Sequence, residues 1–142
     1  MFGSIESIQK KFIDSGLVEE DMFQEALAKA RQSRDSIFFF LLEMAGIDEE
    51  AMMKLVMEIF RLPFLSLSTF RIDKDIINFI PEEVAKRFRI FPVFELNNIL
   101  TVASPFPLDV YMRDYLQGLT KRRIRQVLAT RKEVLDAISR YY

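Results

Sequence analysis

The stretch Phe12-Ile13-Asp14-Ser15-Gly16-Leu17-Val18-Glu19-Glu20-Asp21-Met22-Phe23 returns 29 residues later as Leu41-Leu42-Glu43-Met44-Ala45-Gly46-Ile47-Asp48-Glu49-Glu50-Ala51-Met52. Each copy reads as two apolar residues, an acid, a turn of small residues, an apolar residue, three acids and an amphipathic run. Glu19 and Asp48 stand where an N-cap would stand, and the short Asp48 carboxylate is the better cap. The acids behind them complement the positive end of a helix dipole. Phe23, Leu27 and Ala30 make an i, i+4, i+7 stripe, matched in the second copy by Met52, Val56 and Ile59. The spacing predicts two helical hairpins, 4–15 with 19–32 and 35–45 with 48–61.

The remainder alternates strands and helices. After Pro63, Phe64 to Ser68 alternates apolar with polar and reads as a short strand. Asp73 to Phe79 reads as a short helix, and Pro81-Glu82-Glu83 opens another that runs to about Phe88. Ile90 to Glu95 and Ile99 to Ser104 read as strands joined at Leu96-Asn97-Asn98, since Asn tolerates the left-handed turn conformation. A helix follows Ser104-Pro105-Phe106-Pro107, with Leu108, Tyr111, Met112, Tyr115, Leu116 and Leu119 as its apolar positions and Gly118 as a C-cap candidate. Arg123 to Ala129 reads as a strand. Thr130 to Glu133 has the pattern of a capping box, opening a last helix with Val134, Leu135 and Ile138 turned inward. The fold class is α+β: helical hairpins, then a small, mostly antiparallel or mixed sheet packed with helices. The chain divides into a helical subdomain over 1–61 and an α/β sandwich subdomain over 62–142.

Composition narrows the chemistry. The 142 residues include no Cys, no His and no Trp. Disulfides, thiolate or imidazole metal sites and Cys- or His-dependent catalysis are excluded. The four glycines, Gly3, Gly16, Gly46 and Gly118, are too scattered for a phosphate-cradling loop. The carboxylate triplets lie in first turns of helices, where the dipole accounts for them, so no catalytic, cofactor or metal site is expected. The longest apolar run, Ile37 to Leu42, is far short of a membrane span, and Met1-Phe2-Gly3-Ser4 lacks a signal pattern. A cytoplasmic protein without direct membrane insertion is expected.

Two features suggest partner contacts. Residues 1–58 hold twelve acidic and six basic side chains, whereas residues 59–142 hold nine and fourteen. Within the basic part, Lys121-Arg122-Arg123-Arg125 is a cluster in which Arg123 and Arg125 share one face of a strand. It reads either as a solvated edge guarded by charge or as a surface for an acidic protein; nucleic acid is not expected, because the surplus of charge is small. The tripeptide Phe38-Phe39-Phe40 reads either as a helix buried on most of its circumference or as one exposed aromatic anchor. The candidate partner-binding residues are therefore Phe38, Phe39, Arg122, Arg123 and Arg125.

The repeat with Gly16-Leu17-Val18, the stretches Leu62-Pro63-Phe64-Leu65-Ser66-Leu67 and Ile80-Pro81-Glu82-Glu83-Val84-Ala85, then Phe91-Pro92-Val93, Leu100-Thr101-Val102-Ala103-Ser104-Pro105 and Ile138-Ser139-Arg140-Tyr141-Tyr142, together resemble one family. It is the N-terminal domain of type II secretion and type IV pilus assembly ATPases, the GspE, PilB and MshE group. The resemblance covers nearly the whole chain. It implies a non-catalytic docking or regulatory domain that links the motor to the cytoplasmic domain of an inner-membrane platform protein, peripheral to that membrane through its partner. The ATPase core of that family carries a phosphate loop, which this sequence lacks, so the chain is either an excised domain or a stand-alone regulatory relative.

A subset of the family binds cyclic di-GMP through two motifs that open with Arg-Leu-Gly and close with Gln. By position the openings fall on Ser7-Ile8-Gln9 and Ser36-Ile37-Phe38, and the closing positions on Ala30 and Ile59. The apolar skeleton of the motifs remains while the polar and glycine positions, Gly16 apart, do not. A guanidinium for phosphate or guanine is missing at both openings. A cyclic di-GMP sensor is therefore the alternative, and the nucleotide is not expected as a ligand.

Overall fold

In the computed structural model the described residues are 5–44 and 46–142. The Met1–Ser4 segment, the first residue of the hairpin expected from Ser4, and Ala45 of the second turn lie outside them. Two compact units divide at Arg61 and Leu62.

The first unit holds four helices, α1 (Ile5–Asp14), α2 (Glu20–Ser33), α3 (Ile37–Leu42) and α4 (Glu49–Phe60). Repeat-related side chains serve the same purpose: Phe12 and Leu41 are buried, as are Phe23 and Met52. Asp48 caps α4 by accepting from the Glu50 amide at 3.0 Å, while the longer Glu19 makes no such bond at α2. The helix α3 is much shorter than the expected 35–45. It begins only after Ser36, whose hydroxyl accepts from the Phe38 amide at 3.1 Å. The turn glycines Gly16 and Gly46 have φ of +79° and +86°, values that side chains with a Cβ rarely adopt.

The second unit runs from a loop through a 3-10 helix (Lys74–Phe79), α5 (Glu82–Phe88), β1 (Phe91–Leu96), β2 (Ile99–Ser104), α6 (Val110–Thr120), β3 (Arg123–Leu128) and α7 (Arg131–Tyr141). The sheet order is β1-β2-β3, antiparallel between the first two strands and parallel between the last two. Asn97 and Asn98 both adopt positive φ, 54° and 64°, the pattern of a tight two-residue hairpin turn. Central β2 is buried on both faces, with its last five residues inaccessible. Pro92 sits on the edge strand beside a register shift between Pro92 and Phe94, where its missing N–H leaves the central ladder intact. The buried Gln126 amide donates to the Phe106 carbonyl at 2.6 Å and accepts from the Leu108 amide at 2.9 Å. It thereby ties the proline-rich connector to the sheet. At the end of α7 the Tyr142 hydroxyl donates to the Ile80 carbonyl at 2.8 Å. Burial, followed by the nearby Glu82 carboxylate, pushes its phenol up to about 12, so it stays a neutral donor.

Several local expectations are corrected. Phe64 to Ser68 is not a strand. Only Phe64 bridges Leu128, after which Glu133 Oε2 accepts from the Ser68 amide at 2.9 Å and the Ser66 hydroxyl at 3.1 Å. A side-chain carboxylate thus takes the N–H that a ladder would have used. The same contact leaves the capping box half made: Thr130 accepts from the Glu133 amide, but the Glu133 carboxylate turns to the loop. Strand β3 stops at Leu128, one residue early. Gly118 lies inside α6, which ends instead on Lys121 in the left-handed region. Leu135 is exposed rather than inward-facing, and of the apolar positions of α6, Tyr111, Tyr115 and Leu119 are exposed as well. Among their residues α6 buries Leu116 and Thr120, and α7 buries Val134, Ala137 and Ile138, since a helix on one side of a sheet hides one stripe.

Four helices, α2, α4, α5 and α6, terminate on a basic residue at positive φ: Arg34, Arg61, Arg89 and Lys121. Each side chain complements the negative helix end, yet a Cβ in that conformation costs about 1 kcal/mol or more. Exposed Arg34→Gly should therefore raise stability by about 0.5–1 kcal/mol, whereas Gly16→Ala should lower it by about as much. Urea denaturation of both variants checks the pair of opposite signs.

Candidate interaction surface

The candidate phenylalanines separate by geometry. Consecutive helical residues diverge by about 100°, so α3 can bury only part of its apolar run. Phe38 faces inward. Its ring lies 5.8 Å from Phe12 and 5.6 Å from Phe60, and Phe12 in turn meets Phe23 at 6.1 Å. Each of the four helices thus contributes one phenylalanine to a continuous chain of aromatic contacts. The expectation that Phe38 could be an exposed anchor is corrected by this packing. Phe39 is half-buried and packs edge-to-face on Phe40 at 5.2 Å.

The arginines separate as well. Arg122 donates from Nε to Glu95 at 3.0 Å and holds its guanidinium 5.3 Å from the centre of the Phe79 ring. It is occupied in joining β1, the 3-10 helix and the start of β3. Arg123 and Arg125 are exposed, alternating with buried Ile124 and Gln126. Among the described residues neither makes an ion pair, whereas Lys10, Lys29, Lys54, Lys86 and Lys132 are all paired along their own helices.

Register extends this face across the sheet. Arg125 lies opposite Thr101 and Arg123 opposite Ile99, while Thr101 faces Phe94 and Ile99 faces Leu96. Directly paired residues point to the same side, so Phe94, Leu96, Ile99, Thr101, Arg123 and Arg125 share one face. Phe94 is 40% exposed and stacks on Phe70 at 5.9 Å, and Leu96 is 62% exposed. The other end of the same face carries Phe91, covered by Tyr141 and Tyr142 at 5.5 and 6.2 Å. Sequence reasoning missed Phe94 and Leu96 because the register shift after Pro92 resets which β1 residues face this way. The alternating pattern of Phe94, Glu95 and Leu96 was the available signal.

The outer edge of β3 is occupied at Ile124 and at Leu128. Arg113 Nη1 donates to the Ile124 carbonyl at 2.7 Å, and the Ile124 amide reaches Gln117 Oε1 at 3.5 Å. At the far end the Leu128 amide donates to the Pro63 carbonyl at 2.7 Å, and its carbonyl accepts from Leu65 at 2.8 Å. Elsewhere, a depression of about 430 Å³ in the first unit is bordered by the Ser15–Leu17 turn and by Ala51, Lys54, Leu55 and Glu58 of α4. Among the described residues no group of His, Cys, Asp and Glu side chains could hold a metal ion, and no helix is long and apolar enough to cross a membrane.

A helical repeat followed by a three-stranded mixed sheet defines a particular class of domain. The MshEN domain model matches residues 60–142, and the chain belongs to that family. The type IV pilus assembly ATPase PilB of Myxococcus xanthus is 26% identical over 130 residues, a span covering 92% of this chain and 23% of that protein. PilB of Thermus thermophilus is 24% identical over 132 residues, 92% of this chain and 15% of that protein. The chain therefore spans less than a quarter of these relatives. Among solved structures, MshE with cdg superposes with a TM-score of 0.72 at 22% identity, covering 94% of this chain and 97% of that one. The N-terminal domain of XpsE superposes with a TM-score of 0.74 at 18% identity, covering 99% and 97%. This is the same α+β fold.

Phe38→Ala should lose about 3–5 kcal/mol of stability, because it empties the middle of the aromatic chain, while half-buried Phe39→Ala should lose clearly less. Thermal or urea unfolding of the two variants tests that assignment.

Proposed function

We propose that this chain is a non-catalytic docking domain of a type II secretion or type IV pilus assembly ATPase, holding the motor to the cytoplasmic domain of an inner-membrane platform protein. It works in the cytoplasm and reaches the membrane only through that partner. The observation that carries this reading is one end of the sheet face, where Arg123 and Arg125, exposed and without an ion pair among the described residues, lie across buried Thr101 from exposed Phe94 and Leu96. Family membership and the pilus ATPase relatives supply the setting. A domain of this kind contributes binding energy and position while the chemistry lies elsewhere. Titrating the chain with the cytoplasmic domain of the platform protein from the same organism should give saturable binding that weakens as salt rises. Absence of binding at low salt would overturn the docking role.

A second reading, a cyclic di-GMP sensor, is favoured by one observation, the fold shared with MshE solved with cdg. The side chains at the corresponding positions weigh against it. Ile8 and Phe38 are buried, Phe38 between the rings of Phe12 and Phe60, and among the described residues Lys54 is the one cation bordering the depression beside Gly16. A doubly charged phosphodiester needs more donors than these. Calorimetry with cyclic di-GMP should show no binding heat. A micromolar affinity would establish the second reading.

A further inference from the structure

We propose that the end of the sheet face where exposed Phe94 and Leu96 on β1 and exposed Arg123 and Arg125 on β3 flank the buried Thr101 takes an acidic amphipathic helix of the partner protein. The inference rests on the docking reading and specifies the surface and chemistry of that contact.

Charge selects an acidic occupant. Every lysine that is paired along its own helix has a carboxylate four residues away, but the two β3 arginines have none among the described residues. They stand two residues apart on one face, about 6.6 Å. Carboxylates three or four residues apart on a helix are spaced about 5–6 Å, so one pair can address both guanidinium groups. Arg122 is not available for this, being committed to Glu95 and Phe79.

Width selects a helix. Phe94 and Leu96 lie two strands away from the arginines, across Thr101 and Ile99, a distance of about 10 Å. A helix with its side chains is about 10–12 Å across. Laid along the strands, it sets acids over β3 and apolar residues over β1. An extended peptide addressing the arginines from their own strand would instead need the β3 edge, which is occupied at Ile124 by Arg113 and Gln117 and at Leu128 by Pro63 and Leu65. A nucleic acid strand would need exposed rings on which bases can stack. The one aromatic ring exposed on this end of the face, Phe94, already has a ring face against Phe70.

The test uses the full chain, isotope-labelled, titrated with a synthetic helical peptide carrying Leu at i and i+4 and Glu at i+3 and i+7, and with its Lys-for-Glu counterpart. The acidic peptide should shift the amide signals of Phe94, Leu96, Thr101, Arg123 and Arg125 and bind at least tenfold more tightly than the Lys peptide. The double variant Arg123→Glu, Arg125→Glu should lose at least tenfold in affinity, and Leu96→Ser should weaken binding at unchanged salt dependence. Tyr111→Ser, on the outer side of α6, should bind as the parent does. No binding, shifts confined to another surface, an unaffected double variant, or tighter binding of a single-stranded (dT)15 oligonucleotide would each overturn the proposal. If the platform domain binds the double variant as well as the parent, this surface is wrong and the docking role stands. If the acidic peptide binds as described while the platform domain does not, the docking role falls and the surface stands.

Discussion

Backbone amides and carbonyls on a sheet edge need partners, and β3 finds them at Ile124 and Leu128 without a fourth strand. Arg113 and Gln117, one turn apart on α6, reach the Ile124 peptide groups, and the Pro63–Leu65 segment reaches Leu128. The rest of the second unit follows from this closure. The crossover helix is held beside the strand it guards, the loop after Pro63 is drawn to the sheet, and Glu133 of α7 fastens that loop further along. The face of the sheet remains as a surface for recognition beside this strand, and one end of that face is already covered by Tyr141 and Tyr142.

The first unit answers a different demand. Its helices are short, and α3 has only six residues, so none could stand alone in water. Stability comes from shared apolar burial, concentrated in the contacts Phe23–Phe12–Phe38–Phe60. Duplicating a helix–turn–helix sequence is an economical way to supply matching apolar faces. The two copies are not equivalent, however. Phe12 and Phe23 stand where the second copy has Leu41 and Met52, and the latter's aromatic rings come from Phe38 and Phe60 outside the aligned segment.

Much of this was legible in the residues because it depends on local chemistry. The acidic first turns, the Asp48 cap, the paired asparagines of the hairpin and strand β2 are all set by neighbours in sequence. Misreadings arose where distant groups intervened. Phe64 to Ser68 has strand alternation, but a carboxylate from 65 residues away captures the Ser68 amide. Tyr111, Tyr115 and Leu119 have helical spacing, yet spacing cannot tell which of two stripes meets the sheet. The surface was half legible. The alternation of Arg123 and Arg125 showed a shared face, whereas the commitment of Arg122 to Glu95 and the turning of Phe94 toward that face depend on pairing across strands.

The parallel pairing of β2 with β3 has a kinetic consequence. The antiparallel hairpin closes through two asparagines, but the parallel pair must wait for the eighteen residues between Ser104 and Arg123 to be brought round. Loop closure of that length precedes any reward from the ladder, which makes the β3 docking step the slow one in a chain otherwise rich in short-range contacts. Helix α6 shortens the search by stiffening most of the crossover. The side chains Arg113 and Gln117 arrive with it and are in place when β3 docks, so the same helix that accelerates assembly also shields the nascent strand from pairing with another molecule.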